Sequence, residues 1–410
     1  CTPYRASLMT GKYPLTTGMF LNDLYLHHDH YSIADAYNDA GYDTGYIGKW
    51  HIDGHGRASF IPRERRQGFK FWKVLECTHN YNDSDYYGDE NELLNWDGYD
   101  SIAQTREAQK YVKEHADGSP FALFLSWGPP HGPYQTAPEK YRQLFREEDI
   151  KLRSNVPAHR EKRARVDLLG YYSHIAALDD CIGDLMKTLK ECGIEENTIV
   201  VFTSDHGDML HSHGKVNKQQ PWDESIMVPF LLRYPTAHGS KGSETDIPIN
   251  TPDIMPTLLA LSGVDIPGEV EGVDLSGVVT GKGEPDIDAA LIMCASPFGQ
   301  WQRKNGGKEY RGIRTRRHTY VKDLDGPWLL FDNQEDPYQR DNLYDRSEHA
   351  KLQEKLEGIL ARKLKETKDE FLSGEAYVKK WGHRVGKSGT VSFAAKNPKK
   401  ASKKKGGSSR

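Results

Sequence analysis

The 410-residue sequence contains no apolar run long enough to cross a bilayer as a helix, for which about 20 consecutive apolar residues are needed. It has only five cysteines, too few for a disulfide framework. Cys181 and Cys192 lie on one helical pattern, where the rise per residue holds them too far apart to bridge. No internal repeat is present, which excludes a solenoid. Acidic residues are absent between Arg384 and Arg410, a stretch with nine Lys or Arg, so the remaining body is net acidic. That balance argues against a nucleic-acid binder. The basic stretch is poor in apolar residues and is expected to be disordered, a solvated terminus.

What is present is concentrated in a few short runs. The chain opens CTPYRASLMTGKYP. Thr2 is expected to cap a helix, Pro3 to occupy its first turn, and Gly11 to end it with positive φ. Cys1 then sits at the positive end of that helix, where an anion or a developing negative charge is favoured. Arg5 stands one turn along and offers a planar fork to a tetrahedral oxyanion. Taken alone, this is also a capped surface helix with an ordinary thiol.

The run GYDTGYIGKWH at 41–51 reads as a strand entering a loop that delivers Lys49 and His51 together. Thr198–Ser204, TIVVFTS, has the length of a buried parallel strand and leads directly into Asp205, His206 and Gly207. Ligand sites form at the carboxyl ends of such strands. Asp205 and His206 are two candidate metal ligands; oxygen donors favour calcium, and the imidazole also accepts manganese or zinc. His131 follows a second strand, Phe121–Trp127, in the rigid turn SWGPPHGPY.

The pattern Cys1-x-Pro3-x-Arg5 followed by Thr10 and Gly11 resembles the signature of the type I sulfatases, and the later runs match the same family in order. The resemblance implies that Cys1 is oxidised to formylglycine by a maturation enzyme, and that Lys49 and His51 face the modified residue. It implies a divalent cation, most often calcium, with manganese possible here, held by Asp205, His206 and the formylglycine. Lys218, rather than Lys215, is the sulfate-contacting lysine, and His131 stands on the leaving-group side. Family analogy places such enzymes in periplasmic, secreted or lysosomal settings. A sulfate monoester is a poor electrophile surrounded by negative oxygens, so Arg5, Lys49, Lys218 and a cation are needed to offset charge.

The polar, aromatic-rich stretch between Arg57 and Asp97 suits a sulfated carbohydrate, with Arg63, Arg65 and Arg66 available for further acidic groups and His79 as the candidate substrate contact. The same aromatics would equally serve as a small core. Family members carry a strand ending in two acidic residues before the cysteine; the chain is therefore expected to be a piece of a longer one, with an incomplete metal shell, weak metal binding and little or no activity by itself. The alternatives are a phosphonate monoester hydrolase or phosphodiesterase of the same superfamily, and a protein that only binds sulfated glycans.

The predicted architecture is α/β: an alkaline phosphatase-like mixed sheet flanked by helices over 1–288, a small C-terminal α+β subdomain with an antiparallel sheet and one helix over 289–383, and the basic tail over 384–410.

Overall fold

The computed structural model describes residues 1–391. Helix α1 (Thr2–Thr10) carries Cys1 as its N-cap, and Gly11 ends it in the left-handed region at φ 63°. The Thr2 hydroxyl does not cap the helix as expected. It donates to the His51 carbonyl at 2.7 Å, tying the start of α1 to the loop that carries His51.

Five strands form the first sheet: β1 (Asp43–Lys49), β2 (Phe71–Leu75), β3 (Asp85–Tyr87), β4 (Leu93–Asn95) and β5 (Phe121–Ser126), in the order β4-β3-β2-β1-β5. β1 is parallel to both β2 and β5, and β3 and β4 add antiparallel to β2. Beside β1, the rings of Tyr46, Trp50, Phe69 and Trp72 meet at 4.8–5.9 Å, mostly edge to face, a geometry that suits their quadrupoles. They join Ala6 and Met9 of α1 and Met255 and Leu259 in one buried core, which fixes α1 against the end of β1. Gly48 lies at φ 101°, where an added Cβ would stand 2.2 Å from the Ser126 carbonyl oxygen. Only glycine lets β1 and β5 approach that closely just before Lys49.

The long helix Glu161–Glu191 packs on the helix Asp100–His115. β6 (Val200–Thr203) departs from the sequence expectation of a buried parallel strand. It pairs antiparallel with β7 (Phe230–Arg233), and its residues are half-buried. The apolar run specified a strand, whereas its direction depends on the partner it meets. β5 is likewise half-buried, because it is the edge of its sheet among the described residues.

β8 (Ala290–Cys294), β9 (Tyr310–Arg314), β10 (His318–Asp323) and β11 (Gly326–Asp332) form the expected antiparallel sheet, with the helix Ala350–Glu366 on one face. The architecture is the alkaline phosphatase-like fold. The tail is ordered further than its composition suggested: Val385 and Val391 form an antiparallel bridge, and Gly299 donates to the Ser388 carbonyl. The remainder of the basic run, 392–410, lies outside the described residues. Among the described residues no helix is long and apolar enough to cross a membrane, and all five cysteines are free.

Candidate active site

The N-terminus of α1, the end of β1, the end of β6 and the loop after it meet at one place. Lys49 leaves β1 with its Nζ 3.6 Å from the Cys1 Sγ. His206, two residues beyond Ser204, brings Nε2 to 3.2 Å from the same sulfur. Its Nδ1–H donates to the Gly207 carbonyl at 2.8 Å, so Nε2 keeps its lone pair for the sulfur side. Burial lowers the His206 imidazole to about 3, and the ring is neutral.

Asp205 faces Arg5, whose Nε donates to Oδ2 at 3.1 Å. Burial opposes charge on Asp205, yet the Arg5 guanidinium and the Lys49 ammonium hold its carboxyl well below the usual range. The sulfur of Cys1, a carboxylate oxygen of Asp205 and a nitrogen of His206 all lie within 4.8 Å of one another. An ionised carboxylate and an imidazole in its ligating tautomer, converging on Cys1, fit a divalent cation.

Arg5 is held by several protein partners at this junction. Besides Asp205, its Nη1 donates to the Lys49 carbonyl at 2.7 Å and the Ser126 hydroxyl at 2.7 Å. Tyr46 lies 3.3 Å away and donates its own O–H to the Lys49 carbonyl at 2.9 Å. The guanidinium therefore knots α1, β1, β5 and the end of β6 together, and orients Asp205.

His51 is buried, with Nε2 donating to Asp23 Oδ1 at 3.0 Å. Its Nδ1 is buried without a hydrogen-bond partner, which leaves an acceptor lone pair in a polar site. Arg57 grips Asp23 through Nε and Nη2 at 2.9 and 2.8 Å. Burial acts against the Asp23 charge, but the hydrogen bonds from His51 and Arg57 bring it down to about 2. Asp23 and Arg57 were missed in the sequence, since neither falls in a recognisable run; Asp23 lies 28 positions from the histidine it orients.

Across the opening, Lys218 Nζ donates to His131 Nε2 at 2.8 Å, while His131 Nδ1–H donates to the Gly132 carbonyl at 2.8 Å. Burial, then the charge of Lys218, keep His131 far below its ordinary value, and burial followed by the charge of Lys49 lowers Lys218 to about 8. The structure thus brings Lys218 and the expected leaving-group histidine, His131, together as one hydrogen-bonded pair. Lys215 points elsewhere, between the faces of Trp222 and Trp301.

His79 is exposed and stacks on His131 with ring centroids 4.7 Å apart. Trp72, Tyr81, Tyr87 and Trp96 of that stretch are buried and serve as core, and half-buried Tyr86 stacks on Trp96. Arg65 is committed to Asp53 and Arg66 to Asp89, so both are internal ion pairs.

Residues 1–264 match the sulfatase family. The chain belongs to that family. It is a sulfatase, and residues 211–367 of it also match the C-terminal family of N-sulphoglucosamine sulphohydrolase. The sulfatase is 46% identical to an ulvan-active sulfatase of Formosa agariphila over 95% of its own length and 76% of that protein. It is 28% identical to an endo-4-O-sulfatase of Bacteroides thetaiotaomicron, over 90% of this chain and 81% of the relative. A solved sulfatase structure from Bacteroides fragilis superposes with a TM-score of 0.81 at 29% identity, covering 92% of this chain and 87% of that one.

Proposed function

We propose that this sulfatase hydrolyses sulfate monoesters on a carbohydrate, with Cys1 converted to formylglycine. The observation that carries the reading is the convergence on Cys1 of Lys49, His206 and Asp205, opposite the Lys218–His131 pair. The naming of its relatives as ulvan-active and endo-4-O-sulfatases supports a sulfated glycan as substrate.

Formylglycine would supply a hydrated aldehyde, one of whose hydroxyls, its proton lost to solvent, would be the nucleophile toward sulfur. Cys1 at the N-cap of α1 presents that group where the unpaired amides of the first turn favour negative charge. Lys49 neutralises charge beside it. A divalent cation, calcium by the family pattern with manganese as the alternative, would be held by Asp205, His206 and the converted Cys1, and would supply a positive charge next to the sulfate oxygens. Lys218, steadied by His131, gives a proton to the departing alkoxide. His51, held by Asp23 in the Nε2–H tautomer, keeps Nδ1 free to accept a proton from a hydroxyl of the converted Cys1. Arg5 keeps Asp205 ionised and in place. His79, beside His131, contacts the sugar.

A maturation enzyme acting on the Cys1 motif is the implied partner, and an extracytoplasmic location, periplasmic, secreted or lysosomal, follows from the family. The body 1–288 carries the site and 289–383 packs against it. The test is mass spectrometry of the peptide containing Cys1, together with sulfate release from sulfated oligosaccharides. Full turnover by Cys1→Ala would refute the reading.

A further inference from the structure

Lys218 sits in a loop rich in left-handed backbone conformations. Leu210, His211, His213, Asn217 and Gln219 all have positive φ, from 39° to 74°. Each is a conformation that non-glycine residues seldom adopt, and a cluster of them persists only where surrounding contacts over-determine it.

Part of the bracing comes from the catalytic body. Asp208 Oδ1 accepts the amides of Leu210 and Asn217, and Tyr134 donates to its other oxygen at 2.6 Å. His211 Nε2 contacts Asp167 at 2.9 Å. The two residues flanking Val216–Lys218 are gripped instead from the segment that follows β8. Gln219 forms a two-way amide pair with the Phe298 backbone, donating to its carbonyl at 3.2 Å and accepting its N–H at 3.0 Å. Trp301 donates its indole N–H to the Val216 carbonyl at 3.0 Å. Its ring face lies 4.8 Å from the Lys215 ammonium, and the Trp222 ring lies 5.4 Å from it, a half-buried cation–π arrangement.

We propose that Trp301 and Gln219 are positioning residues: the segment after β8 clamps the Lys215–Gln219 loop from both ends and thereby sets Lys218 against His131. The role rests on the reading that the Lys218–His131 pair serves the leaving group. The C-terminal part of the chain then participates in turnover through its grip on one proton donor.

The test compares the converted enzyme with Trp301→Ala, Trp301→Phe, Gln219→Ala and Lys215→Met. Turnover is measured on sulfate esters graded from a nitrophenol, which needs no proton to depart, to a sugar alcohol, which does. Circular dichroism and thermal melting check the fold. The expected result is that Trp301→Ala and Gln219→Ala lose about 10- to 100-fold in kcat on the sugar sulfate and little on the nitrophenyl ester, with KM nearly unchanged. Trp301→Phe, which keeps the ring face, loses less than Trp301→Ala, and Lys215→Met, which keeps the stem on the Trp301 face, loses less than either alanine variant. Amide exchange over 208–219 rises in the two alanine variants. Equal losses on every ester, or no loss in folded variants, would overturn the clamp. Failure of the unaltered enzyme to release sulfate from any ester would instead refute the sulfatase mechanism, with the exchange comparison still reading the clamp.

Discussion

His51 and Asp23 form a buried pair, Nε2 to Oδ1 at 3.0 Å, and Arg57 closes the far side of the carboxylate with two hydrogen bonds. The pair fixes which imidazole nitrogen carries the proton. Asp23→Asn presents an amide that can flip and hold the wrong tautomer, so kcat on the sugar sulfate is expected to fall about 10²-fold with KM little changed. Steady-state kinetics at several pH values measures this, and an unchanged kcat would remove Asp23 from the mechanism.

Lys218 is lowered to about 8 by burial and then by the Lys49 charge. Below that value it is protonated and can serve the departing oxygen; above it the proton is lost. Turnover of poor leaving groups is expected to decline with a basic limb near pH 8, and nitrophenyl sulfate to lack that limb. Lys218→Arg should move the limb out of the measurable range. A limb that persists in that variant would point to another group.

Glu76 sits fully buried, with one carboxyl oxygen on the amides of Asp53 and Gly54 and the other unpartnered. Burial, then the charge of Asp53, raises it to about 8. The folded state retains a proton that the unfolded chain releases near the ordinary value of 4.5. Stability therefore falls as pH rises from about 4.5 to about 8, and levels off above. Glu76→Gln should flatten that slope, with its largest relative gain at pH 8; denaturant melts at pH 5 and 8 decide it.

Arg5→Ala leaves Asp205 buried beside an empty space and unties four segments. A broken buried pair of this kind costs about 3–5 kcal/mol. Lower melting temperature and weaker calcium dependence of turnover are expected together. Arg5→Lys, which supplies a charge without the planar fork, should recover only part of either.

Chelation of divalent cations should abolish turnover, and calcium or manganese should restore it. Asp205→Asn should raise the calcium concentration needed for half-restoration while leaving the fold intact. A metal-independent rate would contradict the role given to Asp205 and His206.

Much of the site was legible because its residues lie in short runs whose local structure is self-specified. Pro3 and Gly11 bound α1 and leave Cys1 at its positive end; the glycine of β1 delivers Lys49 to the strand terminus; Asp205 and His206 follow an apolar strand. The aromatic stretch around Trp72 and Trp96 was ambiguous for the opposite reason. An aromatic residue reads the same in sequence whether its ring faces a sugar or, as here, the core.

The sequence by itself determined which chemical groups the protein owns and the order in which the elements carry them, since capping, strand length and turn chemistry act over a few residues. Only the tertiary structure decided which groups meet. Arg5 reaches Asp205, Lys218 pairs with His131, and β6 runs antiparallel to β7. Asp23 joined His51, and Trp301 reached the Lys218 loop from 85 positions beyond Val216. Hydrogen bonding and ion pairing depend on distances of about 3 Å, and between residues so far apart in the chain those distances are set by packing.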